Sequence, residues 1–191
     1  MRFAFESFAA DQVLATSQLG KKVFAALVGD ATAPSEPALL YLDFANVEVA
    51  TTSFLRDSVV AFRDHARSHL GTLYPVVSNL SAGVREELHE FLRSRGDALA
   101  VCRLSAHEHS SHPEVIGQLD GKQLATLRAV VAAAETDAVE LGKQFASEEN
   151  VGTTAWNNRL AALSAKGLLI ETSSGRAKRY RPVLENLKYG P

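Results

Sequence analysis

The sequence predicts an α/β layer fold followed by a smaller α+β unit, and three observations carry that reading. From Met1 to Leu104 short apolar runs alternate with stretches of helical periodicity, as strands joined by crossover helices require. From Gln118 to Val183 two helix-length segments with acidic openings precede a third that stops at a glycine. Two strand-like segments then flank Ser173, Ser174 and Gly175, and the second of them is dense in Arg and Lys.

In the first part, Arg2 to Phe5 reads as an edge strand and Ser17 to Val28 as a helix. Ala38 to Asp43 is a buried strand after the turn-rich Ala33 to Pro37. A helix from Thr52 to His69 is stopped by Gly71, and Thr72 to Val77 forms the next strand. Ser81 opens a helix that ends before Gly96, and Leu99 to Leu104 is the last strand. Strands separated by helices imply mainly parallel pairing with right-handed crossovers. Residues 105–117, with their Ser, His, Pro and Gly, read as an accessible linker between a domain at 1–104 and another at 118–191.

The second part opens with a helix from Asp120 to about Ala134, where Asp120 and Gln123 form a capping box. A second runs from Asp137 to about Ala146, with Glu140 three residues after its cap. Ser147 to Gly152 is the turn before a third helix, which Thr153 or Thr154 caps. Its Trp156, Leu160 and Leu163 fall on one face, and with Leu124, Leu127, Val130, Val131, Val139, Leu141 and Phe145 they supply a three-helix core. Gly167 follows Lys166 where a left-handed residue closes the helix. Leu168, Leu169 and Ile170 start a strand, and Arg176, Lys178, Arg179 and Arg181 make the returning one basic.

This order resembles the winged-helix domains of bacterial transcription regulators over Gln118 to Val183. The resemblance implies an α+β winged helix-turn-helix domain that binds duplex DNA, with the third helix in the major groove. Burying Trp156, Leu160 and Leu163 leaves Thr153, Thr154, Asn157 and Asn158 to reach base edges, with Arg159 along the core edge. Arg176, Lys178, Arg179 and Arg181 would meet phosphate or the minor groove. Wings of this shape also serve protein contacts. Many such regulators are homodimers, although no heptad in this chain argues for one.

Residues Tyr41 to Leu55, YLDFANVEVATTSFL, place an Asp at a strand end, a loop with apolar residues, and hydroxyls at the next helix start. The arrangement resembles STAS-like domains, the fold of bacterial anti-anti-sigma factors. It is closest to a bacterial STAS-like group with a DF…SF pattern, here Asp43, Phe44, Ser53 and Phe54, and it covers Met1 to Leu104. The resemblance implies an α/β N-terminal STAS-like layer domain that meets a kinase-like ATPase or another protein partner. The better-known members carry an Asp-Ser pair at the helix start, whose Ser a partner kinase phosphorylates. Those positions hold Thr51 and Thr52 here.

The residues alone support a simpler account of this loop. Hydroxyls at Thr51, Thr52 and Ser53 can accept from the first free helix amides, and the same helix end welcomes a phosphate or carboxylate. Asp43 is either a functional acid or a strand-end side chain bonded to loop amides. Thr51, Thr52, Ser53 and Asp43 are therefore the candidate regulatory or anion site.

Composition narrows the remaining classes. A net charge of −2 over 191 residues excludes a coat of positive charge, so any nucleic-acid contact must be local. The lone Cys102 excludes an internal disulfide and suits a reducing cytosol, where the chain is expected. No apolar run approaches a membrane span, and no signal pattern opens the chain. His65 and His69, four apart on a helix, and His107, His109 and His112 are the only metal-like groupings. Neither has a recognisable ligand pattern, so no metal and no cofactor is expected. Catalytic constellations are absent, which makes an enzyme with an anion site at Thr51 to Ser53 the weakest class. A DNA-binding regulator leads, ahead of an adaptor of a partner-switching pathway that binds only protein.

Overall fold

The computed structural model describes residues 1–146, 151–174 and 177–189. Most of the expected Ser147 to Gly152 turn, and Gly175 and Arg176 of the hairpin tip, lie outside the described residues.

The first part contains β1 (Arg2–Ala4), β2 (Val13–Leu14), α1 (Ser17–Asp30), β3 (Ala38–Asp43) and β4 (Val49–Ala50). One helical stretch follows, made of α2 (Thr52–Leu55), a π-helical turn at Arg56–Val60 and α3 (Ala61–His69). Then come β5 (Leu73–Ser78), α4 (Ala82–Ser94), β6 (Ala98–Leu104) and β7 (Ser110–Gly117). Three helices, α5 (Gly121–Ala133), α6 (Ala138–Gln144) and α7 (Thr153–Ala165), precede a hairpin of β8 (Leu169–Ser174) and β9 (Ala177–Pro182). The short β10 (Lys188–Tyr189) comes last.

A six-stranded sheet in the order β1-β3-β5-β6-β7-β10 organises the molecule. Its first four strands are parallel, as helical crossovers demand. β7 runs antiparallel to β6, and β10 lies parallel to β7.

Strand alternation sends residues to two faces. Leu40, Leu42, Leu73, Val77, Leu99 and Ile116 pack under the N-terminal helices with Val23, Phe54, Phe62 and Leu88. Tyr41, Tyr74, Val76, Ala100 and Val115 face the other way. There they share one cluster with Leu127, Val130, Trp156, Leu160, Leu163, Ile170 and Tyr180. The C-terminal helices and hairpin therefore complete the second face of the sheet. Together the elements make a mixed α/β fold with a mostly parallel central sheet.

The expected linker at 105–117 is corrected by this arrangement, because Ser110–Gly117 is a sheet strand. Its buried half, Val115, Ile116 and Gly117, is what the Ser- and His-rich first half conceals in the sequence. Gly117 closes the strand at φ +95°, and a Cβ there would sit 2.7 Å from the Leu92 Cβ and closer still to the Asp97 carbonyl.

The caps agree in part with the sequence. Asp120 and Gln123 form the reciprocal box. Asp137 accepts from the Val139 and Glu140 amides, but the Glu140 carboxylate turns outward to Thr136 and Arg179. Gly152, with no side-chain bond, caps α7 in place of Thr153 or Thr154. Val139, expected in the core, is 50 % exposed on α6.

Candidate nucleic-acid interface

The third helix of the C-terminal unit, α7, divides cleanly by face. Trp156, Leu160 and Leu163 are buried, while Thr153, Thr154, Asn157 and Asn158 are exposed. Thr153, Asn157 and Ala161 follow one another at helical spacing along a groove of about 430 Å³. Asp137, which caps α6, Val139 of α6 and Lys178 of β9 line it opposite. The Arg159 guanidinium lies over the Trp156 ring, 4.7 Å from its centroid, so this side chain follows the core edge.

The hairpin cations are arranged less simply than their sequence suggests. Lys178 lines the groove but pairs with Glu171 at 2.7 Å. Arg179, its neighbour on the other face of β9, is ringed by Glu135 and Glu140 at 3.2 Å and Asp137 at 3.6 Å. Arg181 is exposed but lines a different hollow, with Leu39, Pro113 and Glu185 beside the sheet. The structure thus brings Thr153, Asn157, Asn158 and Lys178 to one groove, and sets Arg181 apart from it. The expected free basic patch is, over Lys178 and Arg179, a set of ion pairs.

The orientation of α7 is fixed from its far end. Arg63, 3 % exposed, donates to the Lys166 and Ala98 carbonyls at 3.2 Å and pairs with Asp97. Lys166 reaches the same carboxylate at 2.8 Å. Burial would push the Asp97 carboxyl up, yet the Arg63 charge and the Lys166 hydrogen bond hold it below its ordinary value. Arg67 donates to the Ser164 carbonyl at 3.1 Å, and to those of Gly71 and Leu73 at 2.7 and 2.9 Å. These α3 arginines satisfy carbonyls at the end of α7, where cations are favoured. Gly167, at φ +78°, then turns the chain into β8.

The second candidate site lies at the opposite end of the helical stretch that carries these arginines. Thr51 caps α2, accepting from the Phe54 amide at 3.4 Å, and its hydroxyl lies 3.1 Å from that of Ser53. The Thr52 amide donates to Glu87 of α4 at 3.1 Å, and the Thr52 hydroxyl donates to the same oxygen. A carboxylate of the chain itself therefore sits where an external anion was expected. Nothing in local spacing signals Glu87, which lies 35 residues further on. Asp43 stands apart from the three hydroxyls and is 1 % exposed. It accepts from the Arg2 Nε at 2.6 Å, the Asn79 amide group at 2.8 Å and the Ala45 backbone amide at 3.1 Å. Its oxygens are engaged in tying strand ends together, the simpler of the two readings.

His65 and His69 stack with centroids 4.7 Å apart, and the His69 Nδ1 meets the His65 carbonyl at 3.1 Å, so the rings do not open toward a shared ion. Cys102 is buried in β6, where burial and then the Asp43 charge push its thiol up to about 12. Among the described residues no helix is long and apolar enough to cross a membrane.

No family model, no curated protein and no solved structure matches this chain.

Proposed function

We propose that this protein is a DNA-binding regulator in which a STAS-like layer carries a winged helix-turn-helix. The observation that carries the reading is the division of α7, whose apolar face is buried while Thr153, Thr154, Asn157 and Asn158 stay exposed beside a hairpin. Such a helix enters the major groove, where an Asn paired with adenine contributes about 1–3 kcal/mol of discrimination. Lys178 exchanges its Glu171 carboxylate for a phosphate at small cost, since an exposed ion pair contributes only about 0–1 kcal/mol. The Thr51 to Ser53 helix start serves as the regulatory surface, met by a kinase-like ATPase or another protein.

One observation favours a second reading. Arg179 among three carboxylates and Lys178 on Glu171 leave less free positive charge than a DNA wing ordinarily presents. An adaptor that docks protein in the α6–α7 groove uses that surface as it stands.

Titration of random duplex DNA at several salt concentrations separates the two. Phosphate contacts impose a steep fall of affinity with salt, and the regulator reading requires it. Binding that is absent at low salt, or indifferent to salt, gives the adaptor reading first place.

A further inference from the structure

Between the start of α4 and the paired strands β6 and β7 lies a hollow of about 310 Å³ that the regulator reading leaves unused. Leu80 and Val101 give it an apolar side, while Arg85, Arg103, His112 and Glu114 give it a charged one. Two arginines outweigh one carboxylate, in a chain whose net charge is −2. That carboxylate is already committed, because Glu114 pairs with Arg85 at 2.8 Å. Arg103 is exposed, and no side chain among the described residues pairs with its guanidinium.

His112 reaches the hollow through a break in the strand ladder. Val101 is paired with Glu114 but Arg103 with Ser111, so β7 holds one residue more than β6 between those pairs. His112 takes up the excess at φ +52°, left-handed backbone that a non-glycine residue adopts only at a cost. Bulges re-aim side chains, and this one puts an imidazole in the same lining as Arg103. The His112 Nδ1 lies 3.2 Å from the Ser111 hydroxyl, which makes Nε2 the nitrogen left for a ligand.

The geometry points to a binding site for a small phosphate monoester, about the size of a phosphorylated pentose. Arg103, Arg85 and His112 hold the phosphate, and the sugar lies on Leu80 and Val101. Guanidinium forks and an imidazole supply donors for the several oxygens of a phosphate. The volume stands at the lower end of ligand pockets, about 300–1,000 Å³, which excludes a dinucleotide. The site is independent of the DNA reading.

Ribose 5-phosphate, inorganic phosphate and ribose, each titrated into the ¹⁵N-labelled full chain, test it. Ribose 5-phosphate should give saturable amide shifts centred on residues 80–85, 101–103 and 112–114, with inorganic phosphate weaker and ribose silent. Arg103→Ala, at an exposed position, should lower the affinity about tenfold through loss of charge-assisted hydrogen bonds. His112→Asn preserves the left-handed backbone, which Asn tolerates, and should weaken binding severalfold while the rest of the spectrum is unchanged. The proposal is overturned if no ligand saturates at millimolar concentration, or if shifts scatter over other basic residues. Inorganic phosphate binding as tightly as the ester, or unweakened binding by Arg103→Ala, overturns it equally.

Discussion

Arg67 stacks on Tyr74, its guanidinium carbon 3.8 Å from the ring centroid, and from that position it reaches the Ser164 carbonyl at the end of α7. The Tyr74 hydroxyl accepts from the Glu171 amide at 3.0 Å, so the stacked pair grips the C-terminal unit on both sides of Gly167. Arg67→Ala removes the stack and one donor from each of three carbonyls, of which that of Ser164 keeps the Gly167 amide at 2.9 Å. It should cost about 3 kcal/mol in urea unfolding. Because Trp156 and the sheet share a core, Trp156 fluorescence and far-UV circular dichroism should change at the same urea concentration, in the variant as in the wild type. Two separated transitions would contradict the shared core.

Gly117→Ala tests whether β7 belongs to the sheet. The substitution forces a side chain into left-handed backbone against Asp97 and Leu92. A loss of about 3 kcal/mol or more is expected, from strain and overpacking together. Gly121, whose Cβ would meet open space, provides the control, and Gly121→Ala should be nearly neutral at the first helical turn. A tolerated Gly117→Ala would restore the linker reading of this segment.

Thr52→Glu brings a second carboxylate against Glu87. A stability loss of about 1 kcal/mol is expected, from the lost Thr52–Glu87 hydrogen bond and like-charge repulsion. Glu87→Gln in the same chain should recover part of that loss, and a double-mutant cycle measures the coupling. If the site is also a switch, partner affinity changes more than stability does. Equal losses in both leave Thr52 as a structural contact to Glu87 alone.

The lowered Asp97 carboxyl predicts an acid limb in the stability profile. A carboxyl whose folded value lies below its unfolded value, about 3.9, contributes stability above the unfolded value and loses it as pH falls through the folded one. Asp97→Asn should therefore destabilise the chain at neutral pH and flatten the decline below about pH 4. Denaturant midpoints measured across that range decide the matter. An unchanged slope would mean that the Arg63 and Lys166 contacts do not persist in solution.

For DNA recognition, Asn157→Ala should relax sequence preference without altering the fold, since the side chain is exposed. Replacing Arg176, Lys178 and Arg179 together by Ala should weaken binding to all duplexes and lower the salt slope by about one unit per lost phosphate contact. Fluorescence anisotropy with specific and random duplexes reads both effects, and circular dichroism checks folding. A folded triple variant that binds as tightly, with the same slope, removes the hairpin from the interface.

What the sequence revealed was local. The strand Ala38–Asp43, the Ser81 and Asp120 caps and the Gly167 stop are each written in a few neighbouring residues, where alternation and capping chemistry act. The misses share the opposite character. Arg63 meets Lys166 across 103 positions and Thr52 meets Glu87 across 35, distances over which no spacing rule reports. β7 was hidden because only its second half carries the apolar signal, and the carboxylates around Arg179 come from α6 and the turn before it. The polar face of α7 was legible because burial of Trp156, Leu160 and Leu163 dictates it.

The pairing of β10 with β7 settles what kind of attachment the C-terminal unit has. The chain departs from the sheet after Gly117 and comes back at Lys188 alongside the same strand, with Tyr189 level with Val115. Everything between is an excursion anchored at both feet, a closed handle rather than a pendant on a string. The margin of β7 along those residues is consequently covered by β10 and denied to a stray strand from another molecule.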